Sequence, residues 1–149
     1  MNHRSKWIDA REIAIIRQLQ LQRAISAAAQ ARSALDAVRV RQREIEAAHA
    51  AHLQAWRSAA GRESLSPTVL ANCSAAVAVI TSQRDDAKCS MDKRLAEMET
   101  ARHNLQQGDR LAASAKQRES QAEKHHRRML DEYSMIDLEI RVALSGTHP

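Results

Sequence analysis

The side chains with chemistry to offer fall in three places. Glu46, His49 and His52 recur every three residues, which lays three metal-ligand types along one helical surface, as helical-bundle metal sites do. His125-His126-Arg127-Arg128 gathers imidazoles and guanidiniums that suit a phosphate or an acidic protein surface. Cys73 and Cys89 are the two thiols. Each has a plainer reading. With the chain folded as argued below, Val77 and Ile80 face the Glu-His-His trio, so no second helix completes a metal shell and the trio reads as polar breaks in an apolar seam. Neighbouring residues on a helix point about 100° apart, so residues 125–128 read as a solvated basic turn. The cysteines, on one helix, lie about 24 Å apart and cannot bridge, and two free thiols suit a reducing compartment. The chain holds no phosphate-binding Gly-rich loop, no nucleophile elbow, and only 3 Gly from which to build either. Neither enzymatic activity nor a cofactor or metal is expected.

The elements that carry these residues are helical. Only 2 Pro accompany the 3 Gly, Phe is absent, and aromatic residues make up 2% of the chain, a composition of long helices rather than of a compact mixed core. The one concentrated breaker is Gly61-Arg62-Glu63-Ser64-Leu65-Ser66-Pro67, with Gly as a helix stop and Ser-Pro as an N-cap and first helical position. Helix 1 is therefore predicted from about residue 4 to 60, a turn over 61–66, and helix 2 from about 67 to 144, all within a single helical hairpin spanning 1–149. A seven-residue repeat runs through both segments. In helix 1 it passes through Trp7, Ala10, Ala14, Arg17, Leu21 and on to Ile45, His49, His52 and Trp56; in helix 2 through Leu70, Cys73, Val77, Ile80, Arg84, Ala87 and on to His126, Met129, Tyr133, Ile136 and Ile140. Such a repeat imposes a left-handed supercoil, and a short loop makes the helices antiparallel neighbours. The fold class is all-α: a long, elongated antiparallel two-helix coiled-coil hairpin. Arg17, Gln42, Arg84 and Arg94 interrupt the seam, the arginines snorkelling to water along it.

Folding the chain about residue 64 or 65 sets Trp56 opposite Cys73, Leu35 opposite Arg94 and Trp7 opposite Ala122. Helix 1 then ends, and helix 2 is predicted to continue from about His126 to Leu144 as an unpartnered overhang of roughly 28 Å. The overhang carries Met129, Leu130, Tyr133, Met135, Ile136, Leu138, Ile140, Val142 and Leu144, and exposed apolar surface of that kind marks an interaction site. Beside it, Trp7, Ile8, Ile13, Ile15, Ile16, Leu19 and Leu21 occupy too many directions for one stripe, so some must face outward. Partner contacts are thus expected at the end holding both termini.

The formal charge is +5. It is uneven: residues 1–62 hold 11 Lys/Arg against 5 Asp/Glu, and the remainder 12 against 13. No stretch approaches the roughly 20 apolar residues of a membrane span, and Asp9 and Glu12 argue against reading the start as a transit peptide. A soluble protein-contacting chain is expected. Nucleic-acid binding through the basic first helix is the alternative, but Arg32, Arg39, Arg41, Arg43 and Arg57 are spread around the helix and not gathered into a basic region. A homodimeric coiled-coil scaffold using the tail as an interface is a third reading.

Two long antiparallel helices, a basic first helix and an exposed helical tail, together with Arg17-Gln18-Leu19-Gln20-Leu21-Gln22-Arg23-Ala24 and Leu53-Gln54-Ala55-Trp56-Arg57, resemble the YscO/FliJ family, the central stalk proteins of type III secretion and flagellar export. The resemblance covers nearly the whole chain and is mostly architectural. It implies a cytoplasmic bacterial protein, peripheral to a membrane-embedded secretion apparatus. It also implies that the end with both termini enters a hexameric export ATPase, with Trp7, Ile8, Ile15, Met129, Tyr133, Ile136 and Ile140 as contact residues. The hairpin end, with His49, Leu53, Trp56, Leu70 and Val77, would reach the cytoplasmic ring of the export gate, and export chaperones are further implied partners.

Overall fold

The computed structural model describes residues 2–146. It contains two helices, α1 (His3–Ala60) and α2 (Pro67–Ser145), joined through residues 61–66, and no strand among the described residues. The chain is an all-α two-helix hairpin.

Local chemistry accounts for the ends. Asn2 caps α1: its Oδ1 accepts from Arg4 N at 3.3 Å and its carbonyl from Ser5 N at 3.0 Å, relieving first-turn amides that have no intrahelical acceptor. The predicted stop at Gly61 is present, and Gly61 N donates to Arg57 O at 3.0 Å, without the left-handed backbone that often ends a helix. Pro67 opens α2, and Ser66 O accepts its first amide bond, from Leu70 N at 3.0 Å. Gly146 N donates to Val142 O at 3.1 Å after the last turn.

The counted repeat appears as a burial pattern. On α1 every seam position from Trp7 to His49 is buried or half-buried, and on α2 every one from Leu70 to Met129 except Arg84. Near the turn the α1 seam drifts: His52 and Trp56 are exposed while Leu53 is half-buried. An untwisted helix drifts by about 20° per heptad against a strict seven-residue repeat, which moves contacts to the next residue round.

Contacts divide the chain into two units, Ser26–His103 and Met1–Ile25 with Asn104–Pro149. In the first, the hairpin unit, Leu35, Ile45, Ala59, Ile80 and Ala87 are buried, and Ala48 packs on the Ile45–Ile80–Ala87 cluster. Trp56 lies one residue off its expected partner, donating from Nε1 to Ser74 Oγ at 3.1 Å. Arg84 leaves the seam and donates from Nε to Glu46 Oε1 at 2.9 Å. A long side chain on a seam position can swing to its rim, keeping the charge hydrated and paired instead of buried.

In the second, the terminal unit, the buried residues among those described are Ala112 and Ala115 alone. Gly108 faces Leu21 and Ala24: a Cβ placed on it would meet Leu21 Cα at 3.7 Å and Ala24 Cβ at 3.8 Å. Alanine and glycine let two helices approach closely, but they remove little apolar area from water.

Candidate protein-docking surface

The terminal unit places its large apolar side chains outward. Its seam seals only alanines, while Ile8, Ile13, Ile15, Ile16, Leu19 and Ile25 on α1 are exposed. At 100° per residue, Ile8, Ile15 and Leu19 fall within about 40° of one another, nearly opposite the seam. They form a second apolar stripe with nothing covering it. The i, i+7, i+11 spacing of these three residues was the available signal, hidden by the seam repeat that runs through the same residues.

Every residue of α2 from Leu130 onward is exposed. Tyr133 is 63% exposed, Ile136 51% and Ile140 53%, and they continue the seam beyond the start of α1. The uncovered stretch begins one turn later than His126, because the first residues of α1 reach further than their backbone positions suggest. The Trp7 indole stacks on the His126 ring, centroids 5.4 Å apart and planes 11° apart, and not against Ala122. Helical side chains lean toward their own N-terminus, which in an antiparallel pair is toward higher numbers on the partner helix. His3 adds a second closure, its Nδ1 lying 3.0 Å from His125 Nε2, one ring donating and the other accepting, with ring centroids 4.6 Å apart. Trp7 Nε1 is buried there without a hydrogen-bond partner, which costs roughly 1–3 kcal/mol.

Of the seven residues assigned to the ATPase-facing end, Ile8, Ile15, Tyr133, Ile136 and Ile140 are exposed, and Trp7 and Met129 are half-buried. All seven lie in the terminal unit. Of the hairpin-end set, Trp56 is exposed while His49, Leu53, Leu70 and Val77 are half-buried against their own hairpin. The basic turn is partly spent inside the fold: His125 and His126 contact α1, and Arg127 Nη2 pairs with Glu123 Oε1 at 2.6 Å.

The spaced trio Glu46, His49 and His52 is not brought together. Glu46 is engaged by Arg84, and His52 is exposed while His49 is half-buried; among the described residues no three His, Cys, Asp or Glu side chains converge. Cys73 is half-buried on the seam and Cys89 exposed opposite it. No described helix is long and apolar enough to cross a membrane.

Beside the seam of the terminal unit runs an open groove of about 320 Å³. Ala10, Ile13, Leu111 and Ala115 form its apolar floor and Lys6, Arg17 and Arg118 its cationic rim, with Asp9 and Ser114 also on the lining. Sequence reasoning missed this groove, because its two walls come from segments about a hundred residues apart. Comparison with family models, with curated proteins and with solved structures gave no match.

Proposed function

We propose that this chain is a non-enzymatic central stalk of a type III secretion or flagellar export apparatus. In this reading the terminal unit inserts into a hexameric export ATPase on the cytoplasmic side and promotes its assembly and activity. The hairpin end, led by Trp56, turns toward the cytoplasmic ring of the export gate, and export chaperones are further partners. The observation that carries the proposal is the inversion in the terminal unit, where alanines fill the seam and isoleucines, leucines and a tyrosine face outward. A helical hairpin gains nothing for its own stability from that arrangement. An apolar, six-fold-lined channel would cover the α1 stripe and the α2 tail together, which no flat partner surface does.

The test is the hydrolysis rate of the export ATPase from the same organism, with and without the chain. Truncation after Met129 keeps the His3–His125 and Trp7–His126 contacts and removes only the uncovered tail. A partner that seals the exposed half of Tyr133, Ile136 and Ile140 gains roughly 1 kcal/mol from each, half the value of a fully buried large apolar side chain. The three together are worth about 3 kcal/mol, or roughly 150-fold in affinity. Full-length chain should stimulate hydrolysis, and the truncated chain and an Ile136→Lys/Ile140→Lys variant should require correspondingly more protein to do so. Equal stimulation by all three would refute the stalk reading.

A further inference from the structure

The groove beside the terminal seam and the tail of α2 are complementary. The groove offers an apolar floor of Ala10, Ile13 and Leu111 between Lys6, Arg17 and Arg118. The tail offers Tyr133, Ile136 and Ile140, flanked by Glu132 and Glu139 on the side one residue before each heptad position. Neither glutamate, nor Lys6 nor Arg118, has an ion-pair partner among the described residues; Arg17 donates to Gln20 Oε1 at 3.0 Å, a neutral acceptor that leaves its charge available. Asp9, the one acid on the lining, accepts from Ser5 Oγ at 3.5 Å. The lengths match as well: Lys6 to Arg17 covers about 17 Å of helix and Leu130 to Ile140 about 15 Å.

The tail cannot enter the groove of its own chain, because both lie on α2 and that helix is unbroken between them. We propose that the tail docks in the groove of a second copy, and the second copy's tail in the groove of the first, making a two-fold dimer of terminal units. The symmetry is self-consistent. Antiparallel positions count in opposite directions, so a two-fold that sets Glu132 beside Arg118 of the second copy also sets Glu139 beside Leu111, where Arg17 lines the same groove. The same operator returns the second tail to the first groove, so the contact closes on itself and does not propagate into a filament. The α1 stripe of Ile8, Ile15 and Leu19 stays outside this contact.

Charge reversal tests the pairing because it can be undone in trans. The readout is mass in solution by light scattering, with circular dichroism confirming that each variant stays helical; all four positions are surface side chains. Full-length chain should be dimeric at about 100 µM, with a dissociation constant at or below that concentration. Glu132→Lys/Glu139→Lys and Arg17→Glu/Arg118→Glu should each weaken the dimer by at least about tenfold, since like charges then face across both contacts. Mixed in equal amounts the two variants should form a heterodimer, because both of its contacts regain opposite charges. A monomeric wild type, a dimer indifferent to either variant, or two helical variants that stay monomeric when mixed would each overturn the proposal. No ATPase enters these measurements, so their failure and the failure of the stalk reading are separate results.

Discussion

Replacing Gly108 by alanine should stabilise the protein, which is an uncommon outcome for a seam position in a close-packed helix pair. Gly108 lies inside α2 and has no positive φ, so an L side chain meets no backbone strain there. A Cβ would sit 3.7 Å from Leu21 Cα and Cδ1 and 3.8 Å from Ala24 Cβ, ordinary van der Waals separations that need no movement of α1. Glycine in a helix interior costs about 1 kcal/mol relative to alanine through the freedom of the unfolded chain and poor propensity. Partial burial of one methyl adds a few tenths, less than the roughly 0.8 kcal/mol of a fully buried methylene. The sum, about 1–1.5 kcal/mol, corresponds to a rise of roughly 2–5 °C in thermal midpoint for a chain of this size. Far-ultraviolet circular dichroism melts would measure it. Gly61→Ala is the comparison, because its Cβ would press on Arg57 O at 3.3 Å beyond the helix end, and it should give no gain. A fall in midpoint for Gly108→Ala would mean that α1 and α2 approach more closely at Leu21 than described, and would refute the close-packed Ala/Gly seam.

Ala112→Leu and Ala115→Leu should each cost about 1–3 kcal/mol in chemical unfolding, because both sites are sealed and a larger side chain must push the helices apart, whereas Ala113→Leu on the exposed face should be nearly neutral. Cys89 should react with a thiol reagent in the native state well before Cys73, and equal rates would place the seam on the wrong face. A double-mutant cycle between Glu46 and Arg84 should give at most about 1 kcal/mol despite the 2.9 Å contact, since both side chains are nearly half exposed. Truncation after Met129 should leave the melting midpoint of the remainder unchanged, as the removed residues contact no part of α1.

What the sequence made legible was the register. A seven-residue repeat is a statement about direction, and direction survives into burial: Leu35, Ile45, Ile80, Ala87, Ala112 and Ala115 were all on the counted seam and are all buried. The turn over 61–66 was equally plain, because Gly and Ser-Pro act on the local backbone whatever surrounds them. What could not be read was the reach of side chains. Trp7 was set opposite Ala122 by backbone arithmetic, yet its ring travels a turn along the partner helix to His126. Arg84 occupies a seam position in the count and a rim position in space, since its charge gains more from water and Glu46 than its stem gains from burial. The candidate surface was half visible, the tail being plain from chain length alone. The groove required the two helices to be set side by side before Lys6, Arg17 and Arg118 could be seen on one rim.

The thinness of the buried seam has a consequence for how docking would be felt inside the protein. Seven described apolar residues are buried, four of them alanine, and none falls below 2% exposure. Little of the free energy holding any one turn is stored locally, so backbone amides along the seam should exchange with solvent through small openings rather than through one global event. Whatever occupies the terminal unit enters that balance directly by mass action. A partner present at a hundred times its dissociation constant adds about 2.7 kcal/mol to every opening that releases it. Slowed amide exchange around Ala112 and Ala115 would therefore report occupancy of the outward stripe and tail, although neither alanine touches the visitor.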